Sequence, residues 1–204
     1  MSKNKIATRP ISERFDHLYR LISSQRFLRQ EGLGNEVPFF ICPFAPRETV
    51  AMQRAIGQLA NRLEQDGVPV LSINLYDLSI QLLQERGIWE RILEMEETIS
   101  KDELKELLQG VLDPETHLVP AIAAKMAERP FQVMFISGVG AVFPYIRSHN
   151  VLNNLQRVAK EQPTVLFFPG EYTQSLEFGA SLDLFGRLRD DKYYRAFNIY
   201  HIEA

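Results

Sequence analysis

Apolar positions along the chain fall into two patterns, short unbroken runs and longer stretches spaced by three and four. Residues 1–10 carry neither and read as a loose polar tail, ahead of a single α/β domain over 11–204. Ser12 offers an N-cap, and Phe15, Leu18, Tyr19, Ile22 and Leu28 follow near helical spacing, up to Gly32-Leu33-Gly34-Asn35. Val37 to Pro43 is almost continuously apolar, as a strand buried on both faces of a parallel sheet requires. Met52, Ala55, Ile56, Leu59 and Leu63 mark one face of the clearest helix, which Gly67 stops. Val68 to Leu75 is a second strand, with Pro69 at its start, where a missing N–H is tolerated. Strand, helix and strand in this order make a βαβ unit with a right-handed crossover.

Residues 78–129 read as helix broken by turns, long for a simple crossover, and form a helical insertion over one edge of the sheet. Ser100 with Glu103 fits a capping box, and Asp113 before Pro114 fits an N-cap followed by proline at the first helical position. Leu104, Leu107, Leu108 and Val111 share a helix face. Phe131 to Ser137 is a third strand ending in Gly138-Val139-Gly140, and a helix with Val151, Leu152, Leu155 and Val158 follows. Thr164 to Phe168 is a fourth strand, ended by a turn at Pro169-Gly170. A loop or short helix runs through Leu182, Leu184 and Phe185, and Ala196 to Ile202 is a fifth strand. The alternation predicts three α/β layers around a mostly parallel sheet of about five strands, P-loop-like or Rossmann-like in class.

Apolar residues make up 45% and charged residues 24%, the balance of a globular chain. The net charge of −3 supplies no basic stripe of the kind duplex binding uses, so direct nucleic-acid binding is not expected. Cys42 is the only cysteine, which excludes an internal disulfide and a cysteine-rich zinc site. Between Ile41 and Pro43 it reads as a buried small hydrophobe. There is no apolar run of the ~20 residues that span a bilayer, and no secretory pattern over 1–10, so a cytoplasmic protein is expected.

Open parallel sheets bind ligands beyond the carboxyl ends of their strands, so those ends are where chemistry is sought. Pro43-Phe44-Ala45-Pro46-Arg47-Glu48-Thr49 follows the first strand and lacks the glycines and the Gly-Lys-Ser or Gly-Lys-Thr of a phosphate-binding loop. Arg47, Asp77, Ser137, Asn150 and Glu171 all stand at or just beyond strand ends and are the candidates for a ligand site. Each has a plainer reading. Arg47 at a helix N-terminus suits a phosphate or an ordinary ion pair. Asp77 suits a ligand or, preferably, the cap of the next helix. Gly138-Val139-Gly140 is explained by a tight turn. Glu171 offers a base without a partner carboxylate, and His149 reads as structural. His17, His117, His149 and His201 are scattered singly, so no metal site and no cofactor are expected, and no catalytic set assembles.

Several segments carry a resemblance. Phe135-Ile136-Ser137-Gly138-Val139-Gly140-Ala141-Val142-Phe143-Pro144, followed by Leu152-Asn153-Asn154-Leu155, is similar to the BrxB family. So are Val165-Leu166-Phe167-Phe168-Pro169-Gly170-Glu171-Tyr172, Leu182-Asp183-Leu184-Phe185-Gly186 and Tyr193-Tyr194-Arg195-Ala196-Phe197-Asn198. The resemblance implies a component of a bacteriophage-exclusion (BREX) defence system, alongside a DNA methyltransferase, a large ATPase and a PglZ-type phosphatase-like protein. It brings no catalytic residues, and it implies a non-catalytic adaptor whose first partner is the PglZ-type protein. An adaptor needs an exposed apolar patch, for which Ile88, Trp89, Ile92, Tyr193, Tyr194 and Phe197 are the candidates unless they fill the core. The alternative is a nucleotide-binding protein or enzyme on a degenerate P-loop-like fold.

Overall fold

Five parallel strands form the centre of the protein: β1 (Phe39–Phe44), β2 (Val70–Asn74), β3 (Val133–Ser137), β4 (Thr164–Ser175) and β7 (Phe197–Asn198), in the order β2-β3-β4-β1-β7. The computed structural model describes residues 6–31, 38–175, 179–191 and 196–203. Every residue of β1 is buried, so both of its faces must be covered. Alternation divides the side chains between two cores. Phe40, Cys42 and Phe44 join Val133, Phe135, Val165 and Phe167 on one face. Phe39 and Ile41 join Met134, Ile136, Leu166 and Phe168 on the other. The register Ile41↔Leu166 and Cys42↔Phe167 keeps like faces together.

Helices α1 (Ile11–Ile22), α2 (Gln25–Leu28) and α3 (Thr49–Gln65) cover the first face. Met52, Ala55, Ile56, Leu59 and Leu63 of α3 are buried, as their spacing predicts. Ser12 lies inside α1, which starts at Pro10 without a side-chain cap. The second face is covered by α4 (Leu75–Glu85), α5 (Trp89–Glu96), α6 (Lys101–Val111), α7 (Val119–Glu128) and α8 (Ser148–Leu155). The step from β1 to β2 crosses the sheet in one direction, and the steps from β2 through β3 to β4 return in the other. Right-handed crossovers then place α3 and α8 on opposite faces, which gives the three-layer α/β architecture. The expected caps at Ser100 and Asp113 are present. Ser100 Oγ accepts from the Glu103 N–H, and Asp113 Oδ1 accepts from the N–H groups of Glu115 and Thr116.

The C-terminal quarter departs from the expected elements. Pro169-Gly170 does not end β4, which continues to Ser175 and changes partner there. Up to Pro169 it pairs in parallel with β1; from Gly170 onward it pairs antiparallel with β5 (Gly179–Leu184), and β5 pairs with β6 (Leu188–Asp191). The segment through Leu182, Leu184 and Phe185 is thus a strand and its hairpin turn rather than a loop or helix. Gly170 fits because a Cβ there would stand 2.1 Å from the Asp183 carbonyl oxygen. The last parallel strand is only Phe197–Asn198, and Ile199–His201 turns as a 3-10 helix with Asn198 Oδ1 accepting from the Tyr200 N–H. Val158 lies beyond the end of α8 and is exposed.

Three stability tests follow from these positions. Phe167 is buried in edge-to-face contact with Phe135, ring centroids 5.2 Å apart, so Phe167→Ala should cost about 3–5 kcal/mol in urea unfolding. Val50→Ala, at an exposed position, should change stability by less than about 0.5 kcal/mol. His17 is buried with Nε2 unpartnered, and burial, then the charge of Arg20, push its pKa below the ordinary 6.5. The unfolded chain therefore takes up a proton first as pH falls. Stability should be level above neutrality and should drop as pH passes below 6.5, and His17→Gln should flatten that part of the curve.

Candidate functional site

The carboxyl ends of β1 and β4 lie side by side where the chain leaves in opposite directions, α3 returning toward β2 and the β4 extension leading on to β7. Ligands of open α/β sheets sit at such a switch point. Here the loop from β1 to α3 is a 3-10 turn, Pro46–Glu48, and it carries its own anion. The Glu48 carboxylate accepts from the Ala45 N–H at 3.3 Å and pairs with Arg14 Nη2 at 2.8 Å. Arg14 is 1% exposed although it lies mid-helix in α1. Burial opposes its charge and leaves Nε and Nη1 without a hydrogen-bond partner, but Glu48 and the nearby Tyr200 hydroxyl outweigh that and raise its pKa. The Tyr200 hydroxyl also accepts from Cys42 Sγ at 3.2 Å. Burial pushes the Cys42 thiol up to about 12, so it holds no nucleophilic thiolate at neutral pH.

Two cavities open at the same end of the sheet. One, of about 260 Å³, lies between the ends of β1, β3 and β4, among Thr49, Gln53, Ser137, Gly140 and Pro169. Among the described residues no charged side chain lines it. The other, of about 410 Å³, lies along the β4 extension beside Pro46, Glu171, Tyr172 and Asn198. Phe185, in the turn between β5 and β6, lines both. It has φ 57° and is partly exposed, and its ring stands over Gly140, where a Cβ would come within 3.0 Å of it. Tyr172 is buried and donates to the Ala196 carbonyl at 2.6 Å; desolvation pushes its pKa up to about 12, so the hydroxyl stays protonated.

The five strand-end candidates are not gathered into one place. Ser137 lines the first cavity and Glu171 the second. Arg47, Asp77 and Asn150 are exposed and line neither. Asp77 is not the cap of α4: Asn74 takes that role, its Oδ1 accepting from the Tyr76 N–H at 3.0 Å, and Asp77 stands in the first turn. Asn150 lies in α8, where its carbonyl accepts from Asn154 Nδ2. His149 is buried. Among the described residues no group of three or more His, Cys, Asp or Glu is placed to hold a metal ion.

Of the expected docking residues, Ile92 is buried, Ile88 and Trp89 are half-buried against one core, and Phe197 is half-buried against the other. Tyr193 and Tyr194 lie outside the described residues. The Arg14–Glu48 pair escapes a reading of strand ends, although Arg14 falls between Ile11 and Leu18 on the apolar stripe of α1, which signals a charge that needs a buried partner. Phe185 escapes it too, although Ala180, Leu182 and Leu184 alternate as a strand does.

No helix among the described residues is long and apolar enough to cross a membrane. No solved structure matches the chain. A BREX protein BrxB of Bacillus cereus (strain H3081.97) is 33% identical over 195 residues, covering 94% of this chain and 98% of that protein. A BREX protein BrxB of Escherichia coli O9:H4 (strain HS) is 28% identical over 191 residues, covering 93% and 92%. The family model described as BREX protein BrxB matches residues 71–199, from the second strand through the hairpin to the end of the sheet. The chain therefore belongs to the BrxB family of BREX phage-defence proteins.

Proposed function

We propose that the chain is a non-catalytic accessory of a cytoplasmic BREX assembly and acts by docking onto the PglZ-type protein. The observation that carries this reading is Glu48 at the carboxyl end of β1. A helix N-terminus beside a parallel strand attracts phosphate through free N–H groups and positive potential. In this chain Pro46 removes one donor, and the Glu48 carboxylate takes the Ala45 N–H and the Arg14 charge. A phosphate entering there finds the donor and the guanidinium already taken by a carboxylate. The chain keeps the scaffold of a nucleotide-binding sheet while its own side chain fills the anion position. The BREX membership of its relatives supports work within a multi-protein system.

The uncharged cavity beside Ser137 favours a second reading, a small-ligand site on the same scaffold, with the methyltransferase or the ATPase as further protein partners. The two readings separate by experiment. Light scattering after size exclusion should give one species with the summed mass of this chain and the PglZ-type protein at micromolar concentration, and two separate peaks would defeat the docking reading. Nucleotides, with or without magnesium, should leave the melting temperature unchanged. A ligand at ~100 times its Kd adds about 2.7 kcal/mol, so a clear upward shift would favour the ligand site instead.

A further inference from the structure

Helices α5 and α6 are covered far less than the rest of the protein. Five side chains of α3 are buried, whereas α5 buries Ile92 alone and α6 buries none. On α5 the residues Glu90, Leu93, Glu94 and the C-capping Glu97 stand at i, i+3, i+4 and i+7, and so share one face turned away from Ile92. All four are exposed, Leu93 to 40%. Among the described residues none of the three glutamates forms an ion pair: Arg91, a helix neighbour of Glu94 three positions earlier, does not pair with it, and Lys105 of α6 pairs with Asp102 at 3.0 Å. Like charges three and four residues apart weaken a helix. The stripe thus combines an exposed leucine with three carboxylates that form no ion pair among the described residues.

The charge selects the occupant. Nucleic acid and anionic lipid headgroups are repelled by it. A second copy placed about a two-fold axis would set the same carboxylates against one another. A basic protein segment is attracted. The stripe covers two turns, about 10 Å, which matches the apolar and cationic positions on two turns of an opposing helix. We propose that the Glu90-Leu93-Glu94-Glu97 face of α5 docks a basic amphipathic helix of the partner protein, Leu93 entering its apolar stripe and the carboxylates pairing with flanking Lys or Arg. Val50 is the contrasting surface: it is more exposed, at 64%, but Arg47 and Arg54 flank it.

This inference rests on docking to the PglZ-type protein, and the test keeps the two apart. Titration calorimetry would compare the chain with the variants E90Q/E94Q/E97Q, Leu93→Ser and Val50→Ser against the PglZ-type protein at two salt concentrations. The triple variant and Leu93→Ser should each raise Kd at least tenfold, Val50→Ser should leave it unchanged, and wild-type binding should weaken with salt. With its repulsion removed, the free triple variant should melt no lower than the wild type, so its loss of binding is not a loss of fold. Binding by the wild type with equal affinity for the triple variant would overturn the α5 surface while leaving the docking reading intact. Absence of any wild-type complex would overturn both. A dimer of the chain alone that Leu93→Ser dissolves would assign the face to a second copy and overturn the proposal.

Discussion

A parallel strand with large apolar side chains on both faces cannot meet water on either, and β1, with Phe39, Phe40, Ile41, Cys42 and Phe44, sets that condition for the chain. It requires helices above and below, and right-handed crossovers decide which helix goes to which side. It also places β1 beside β4 in the interior, leaving β2 and the two residues of β7 at the ends of the parallel order. The cavities, the Arg14–Glu48 pair and the hairpin all gather where β1 and β4 end, because that is where buried strands must release their chain to the surface.

The interior was the legible part of the sequence. Unbroken apolar runs and the three-and-four spacing of Met52 to Leu63 carry enough burial to overrule local ambiguity. The ends were less legible, for physical reasons. Pro169 and Gly170 are turn residues by preference, yet Pro169 suits the point where β4 changes partner and Gly170 leaves room for the Asp183 carbonyl. Asn74 and Asp77 are both good caps, and only backbone geometry gives the role to Asn74. At the candidate site, strand ends pointed equally to Arg47, Asp77, Ser137, Asn150 and Glu171, of which only Ser137 and Glu171 line cavities, and Arg14 comes from a helix some thirty positions upstream of its partner Glu48, a pairing that local sequence does not announce.

Arg14 and Glu48 also join the first helix to the loop that follows β1. A buried guanidinium is tolerable only with a counter-charge, and Glu48 supplies it from the β1–α3 loop. The Tyr200 hydroxyl, shared with Cys42, ties the C-terminal turn into the same network, so α1, the β1–α3 loop and the last turn are fastened together.

Because β4 runs its twelve residues without a break from the parallel ladder with β1 into the antiparallel ladder with β5, the two ladders hang on one backbone. A load on β5 is carried along that backbone into the ladder with β1, with no loop between to absorb it. Whatever touches Phe185 therefore pushes on the anchored end of a beam rooted in both cores at once.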